Sequence, residues 1–80
     1  MENNKKLKEA FIEALGINEE EVVNDLKYQS IPQWDSISHM VLISEIEDVF
    51  DIDIDTEDVI ALSSYAKAKE ILQKNYQIDF

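Results

Sequence analysis

Eighty residues can enclose one hydrophobic core and leave no material for a second, so the whole chain is expected to form a single domain. Eighteen acidic residues against seven lysines and no arginine give a formal net charge of -11. That excludes a nucleic-acid binder, whose cations must neutralise phosphates, and a peripheral anchor on an anionic membrane. The absence of cysteine removes disulfides, thiolate metal sites and any side-chain thiol nucleophile.

The chain opens on Met1-Glu2-Asn3-Asn4-Lys5-Lys6, which is charged where a leader would be apolar, and no run approaches membrane-spanning length. The expected address is cytoplasmic. From Asn4 to Leu15, the residues Leu7, Phe11, Ala14 and Leu15 recur at helical spacing while Lys5, Lys8, Glu9 and Glu13 fall elsewhere, which predicts a first helix. Gly16, the only glycine, is placed to close it with a positive φ. The connection from Ile17 to Trp34 is too long for a casual loop. Val22, Val23, Leu26, Tyr28 and Ile31 predict that it packs across the helices, with a helical turn near Glu19 to Val23.

A second helix is expected from Ser36 to Phe50, with Asp35 as its N-cap. Its apolar residues (Ile37, Met40, Val41, Leu42, Ile43, Ile46, Val49 and Phe50) cover more than the roughly 100° face a peripheral helix needs, and the surplus lies near its start. Asp51-Ile52-Asp53-Ile54-Asp55 alternates like an extended segment with its isoleucines inward. The spacing of Asp55 and Asp58 suggests a box-like start for a short third helix, Thr56 to about Ala61. Ser63 or Ser64 can cap a fourth, from Tyr65 to about Asn75, with Ala68, Ile71, Leu72 and Tyr76 inward. The expected fold is all-α, a four-helix bundle with a short third helix and a long first connection.

Within that frame Trp34-Asp35-Ser36-Ile37 is the most informative stretch. An Asp-Ser pair alone is an ordinary helix start. Here it follows a long ordered connection, precedes surplus apolar surface and has strongly acidic flanks. At these residues the chain resembles the acyl carrier proteins, including the peptidyl and aminoacyl carriers of the same fold, and does so essentially end to end. Leu15-Gly16 followed by Glu20-Glu21-Val22 resembles that family's first-helix ending and loop opening. Asp35-Ser36-Ile37 is similar to its Asp-Ser-Leu attachment motif, and Glu45 to Asp51 and Ile52 to Asp58 to its acidic second-helix close and third-helix lead-in.

The resemblance implies a carrier and not an enzyme. A phosphopantetheinyl transferase would move 4′-phosphopantetheine from coenzyme A onto the Ser36 hydroxyl, with Asp35 and Ile37 supporting the motif. The arm ends in a thiol on which acyl or aminoacyl groups ride as thioesters. Implied partners are that transferase, an acyl- or aminoacyl-activating ligase, and acyl-using enzymes with basic patches, all meeting a monomeric carrier. Two departures from the fatty-acid members stand out: Trp34 precedes the motif, and Ser38, His39, Met40 and Val41 stand where acidic residues are usual. The expected partner face is therefore an apolar patch of Trp34, Ile37, Met40 and Val41, rimmed by Glu45, Glu47, Asp48, Asp55, Glu57 and Asp58. It leans toward secondary-metabolite, cell-envelope or polysaccharide chemistry, with fatty-acid biosynthesis as the other candidate. Packing of Trp34 beneath the Ser36 loop is the alternative to a partner contact.

Other constellations read more plainly. His39 lies three residues after Ser36, yet no Gly-rich elbow accompanies the pair and both are expected on one exposed turn, so His39 is expected to face solvent or a partner. Asp51, Asp53 and Asp55 resemble a calcium loop until its sixth and twelfth positions, which hold Thr56 and Leu62 instead of Gly and Glu. A cargo sheltered among the helices would have to open contacts of residues such as Phe11, Ile43, Ile46, Ile60 and Leu62. The competing function from another class is a small acidic adaptor without a prosthetic group, in which Ser36 merely starts a helix.

Overall fold

A computed structural model describes residues 2–80 and contains four α-helices: α1 Glu2–Leu15, α2 Ser36–Phe50, α3 Thr56–Ala61 and α4 Tyr65–Tyr76. Helix α1 buries Leu7, Ala10, Phe11 and Leu15, one stripe at helical spacing. Glu2 and Asn3 are already helical, two residues ahead of the expected segment from Asn4, and Glu2 is acidic in the first turn, where the helix dipole favours it. Gly16 ends it at φ 64°, its amide donating to the Ile12 carbonyl at 2.8 Å. A Cβ there would meet nothing within 4 Å, so the backbone angle alone calls for glycine.

The long connection is ordered by three devices. A 3-10 turn, Glu19–Glu21, lets Ile17, Val22 and Leu26 drop into the core while Val23 stays half exposed. An isolated antiparallel bridge, Lys27 to Ser64, then fastens it to the start of α4: the Tyr28 amide donates to the Ser63 carbonyl at 2.8 Å and the Tyr65 amide to the Leu26 carbonyl at 2.9 Å. Finally Gln29, left-handed at φ 64°, turns its amide onto the Trp34 carbonyl at 3.0 Å. The segment before Ser36 is thereby held at both ends.

Helix α2 ends at Asp51, whose φ of 54° and ψ of 53° place a non-glycine residue in the left-handed region. Such a conformation costs an L-residue about 1–2 kcal/mol, part of which glycine recovers. Asp51→Gly is therefore expected to stabilise the fold by about 1 kcal/mol, a rise in Tm of about 4–8 °C for a domain of this size. Calorimetry checks it; an unchanged or lower Tm would show that Asp51 contributes more than its backbone angle costs.

Downstream, Ile52 and Ile54 pack half-buried against the core, as their alternation predicts, and the Ile54 amide donates to Glu47 Oε2 at 2.8 Å. The box expected at the start of α3 does not form, since the Asp55 side chain makes no capping bond. Its place is taken across the bundle by α4. The Tyr76 hydroxyl accepts from the Asp55 amide at 2.9 Å and donates to Asp58 Oδ2 at 2.7 Å, while Asn75 Nδ2 donates to Asp58 Oδ1 at 3.0 Å. Ser64, one of the two candidate caps, accepts from the Lys67 amide at 2.9 Å, and α4 runs one residue beyond expectation because Tyr76 is held by those bonds. The final residues return to the core, where Phe80 meets the edge of Phe50 at a centroid distance of 6.1 Å.

The largest fully buried side chains are Trp34, Phe11, Leu7, Leu42, Ile46, Leu62 and Leu72. Ile60 corrects the sequence expectation: it is 77 % exposed and belongs to the surface. In a helix as short as α3, Val59 turns toward the core cluster and Ile60, the next residue, turns away.

Candidate functional site

Ser36 is the first residue of α2 and is exposed. Asp35 before it is extended (φ -106°, ψ -173°), and its Oδ1 accepts from the Ser38 amide at 2.9 Å. The cap leaves the Ser36 and Ile37 amides as the first-turn donors without a partner in the helical ladder, beside the hydroxyl they flank. Hydrogen bonding from the Ser38 amide holds the Asp35 carboxyl below its usual range, against a smaller opposing effect of burial. A depressed carboxyl contributes stability above its unfolded pKa and loses it as pH falls through the folded value. Asp35→Asn, an equally good cap, is thus expected to match the parent near neutral pH and to show a flatter loss of stability on the acid side. Parallel acid titrations of the two proteins followed by circular dichroism check this, and superimposable curves would refute it.

Ser36 opens onto a cleft of about 400 Å³ between α2 and α3, walled by Met40, Val59, Ile60 and Leu62, with Tyr28 and His39 at its inner side. Around its mouth lie the large exposed apolar side chains Ile37 (77 %), Met40 (57 %), Val41 (45 %) and Ile60 (77 %). The surplus apolar surface expected at the start of α2 is therefore present, and Ile60 joins it from α3.

Trp34 does not join it. Its exposure is 0 %, so it cannot offer a contact to a partner in this conformation. It lies under the Ser36 turn with Phe11 edge-on at 5.4 Å and Tyr28 at 6.2 Å between ring centroids. His39 is likewise not a free surface residue but half-buried: Trp34 Nε1 donates to His39 Nδ1 at 3.0 Å, and His39 Nε2 lies 2.8 Å from the Val59 carbonyl oxygen. With the indole N–H as donor, Nδ1 is the acceptor and Nε2 carries the proton given to Val59. Both ring nitrogens being engaged, His39 has none left to take a proton from Ser36, and the pair is no nucleophile-base couple.

The acidic rim divides in two. Asp48, Asp55 and Glu57 are exposed and Glu45 is half-buried, so these carboxylates are accessible to a partner. Glu47 and Asp58 are committed to the Ile54 amide and to the side chains of Tyr76 and Asn75. Sequence spacing could not separate the two kinds, because the binding partners lie 7 and 18 residues away. Among the described residues no three His, Cys, Asp or Glu side chains gather as a metal site, and no helix is long and apolar enough to cross a membrane.

An exposed hydroxyl on a capped first turn, beside an apolar cleft and without a base, is suited to holding a group and not to transforming one. Comparison with known proteins leads to the same class. A family profile described as "Phosphopantetheine attachment site" matches residues 5–72. The acyl carrier proteins of Streptococcus pyogenes serotypes M3 and M1 are each 42 % identical over 53 residues, 66 % of this chain and 70 % of theirs. No solved structure matches the chain significantly. The chain belongs to the phosphopantetheine-dependent acyl carrier protein family. Its prosthetic group is 4′-phosphopantetheine, and its role is that of an acyl carrier and not of an enzyme, one that meets a phosphopantetheinyl transferase and acyl-using enzymes.

Proposed function

We propose that Ser36 is the attachment residue and that residues 1–80 act as one monomeric, cytoplasmic carrier domain. The observation that carries the reading is the exposed Ser36 hydroxyl at the first turn of α2, beside two amides outside the helical ladder. Those amides and the helix dipole favour the negative charge that a phosphodiester brings. When bound, the prosthetic group supplies the thiol that this cysteine-free chain lacks, as the carrier of acyl thioesters. The residues around it have distinct tasks. Asp35 fixes the turn that a transferase must grip, and the cleft walls of Met40, Val59 and Ile60 give an apolar cargo a place out of water.

The partner face comprises Ile37, Met40, Val41 and Ile60, with Glu45, Asp48, Asp55 and Glu57 as its charged rim. An apolar centre inside a polar edge is the anatomy of a transient interface. The neutral first turns of α2, occupied by Ser38, His39, Met40 and Val41, favour a dedicated ligase and a specialised biosynthetic route (secondary-metabolite, cell-envelope or polysaccharide chemistry) over general fatty-acid biosynthesis. Treatment with coenzyme A, magnesium and a phosphopantetheinyl transferase, followed by peptide mass mapping, tests the attachment. A single modification is expected in the peptide containing Ser36. A modification elsewhere would move the site, and an unmodified chain would favour the adaptor role.

A further inference from the structure

His39 stands between the cleft and the core. One side of its ring helps line the cleft at Ser36, and the other lies against the fully buried Trp34, with centroids 6.0 Å apart and planes inclined by 23°. Tyr28 abuts the same ring at 5.3 Å. Its two hydrogen bonds tie the loop side to α3 through one ring: Trp34 Nε1 at 3.0 Å and the Val59 carbonyl at 2.8 Å. Val59 lies in the last turn of a six-residue helix, where a carbonyl has no intrahelical acceptor role to fill. His39 supplies the missing donor. Parting α2 from α3 at this point would leave the Val59 carbonyl and the His39 Nε2–H without each other, and partly buried polar groups do not lose partners cheaply.

We propose that His39 is the residue that limits the cargo: it bolts α2 to α3 and confines the acyl group to the surface cleft, so this carrier takes short acyl chains and gives a long one no passage into the core. The inference rests on Ser36 as the attachment residue. The cleft, at about 400 Å³, must accommodate the end of the arm together with its load, and it is near the lower end of the roughly 300–1,000 Å³ typical of ligand pockets. Beyond His39 lie Trp34 and the core, in which Trp34 and Leu42 are both 0 % exposed.

The test loads the full chain with acetyl, hexanoyl or dodecanoyl groups, using a transferase and the corresponding acyl-coenzyme A, with intact mass confirming each product. Methyl resonances of Leu42, Ile46 and Leu72 report on the core, and the Trp34 indole N–H signal reports on the His39 bond. In the parent protein, shifts should be confined to Met40, Val59 and Ile60 and should leave the core methyls and the indole signal the same for all three loads. His39→Ala should lose the parent indole shift and show core-methyl shifts that grow with chain length. Should His39→Ala fail to fold, His39→Phe replaces it with the same expected outcome, since phenylalanine keeps a ring against Trp34 but can bond neither Trp34 Nε1 nor the Val59 carbonyl. Core shifts that grow with chain length in the parent, or a variant indistinguishable from it, would overturn the inference. Failure of loading itself, seen as an absent mass gain, would instead count against Ser36 as the attachment residue.

Discussion

Ser36→Ala is expected to fold like the parent and to gain no mass when treated with coenzyme A and a phosphopantetheinyl transferase. The two halves of that result have separate causes. The side chain is exposed at the first position of α2, and the capping bond belongs to Asp35, so removing the hydroxyl should change stability by no more than about 0.5 kcal/mol. Under the proposed assignment, however, the hydroxyl oxygen of Ser36 is the atom that forms the phosphodiester, and neighbouring serines are not expected to substitute for it. Ser38 lies two residues along the helix, turned away by about 200°. Matching melting curves with complete loss of the mass gain is the expected pair of readings. Modification of the variant at its former level would remove Ser36 from its assigned role, and loss of folding would show that the hydroxyl has a structural partner.

The largest effect on stability is expected from Trp34. Truncating a buried aromatic to alanine typically costs about 3–5 kcal/mol, and a chain of this length has about 4–12 kcal/mol in total. Trp34→Ala also strips His39 Nδ1 of its donor, adding an unpartnered polar atom to the cavity. The variant should be largely unfolded or at the edge of unfolding at 37 °C, and it should lose the ordered turn before Ser36 along with the core. Since Trp34 is the only tryptophan, urea unfolding is best followed by circular dichroism. Trp34→Phe restores most of the volume but not the N–H donor, and should fall between the two. A Trp34→Ala protein with near-parental stability would return this side chain to the partner surface that the sequence alone left open to it.

What was legible in the sequence is mostly local. Asp35 and Ser64 cap helices through bonds to amides three residues ahead, so dipeptide context located the starts of α2 and α4. The spacing of Leu7 and Phe11 and the alternation of Ile52 and Ile54 likewise carried their burial with them. The helical bundle was read from the same signals together with the family resemblance. Most features left open or misread depend on partners brought together by folding. Trp34 is buried because Phe11, Tyr28 and His39 converge on it from other parts of the chain. His39 looked superficial because neither Trp34 Nε1 nor the Val59 carbonyl can be inferred from helical periodicity. Glu47 and Asp58 resembled their solvent-facing neighbours in composition and differ only in what folding brings to them.

The lysines have a consequence of their own. Six of the seven fall in α1 and α4, and none lies between Lys27 and Lys67, the stretch that contains Ser36 and both α2 and α3. Lys5, Lys8 and Lys69 converge on a groove that shares no residue with the Ser36 cleft. The molecule is thus an electric dipole as well as an anion. As it nears a positively charged enzyme, the field exerts a torque that swings the lysine-poor end forward before any surfaces touch. Random tumbling is thereby biased toward encounters in which the serine leads, an advantage that fades as added salt shortens the reach of the field.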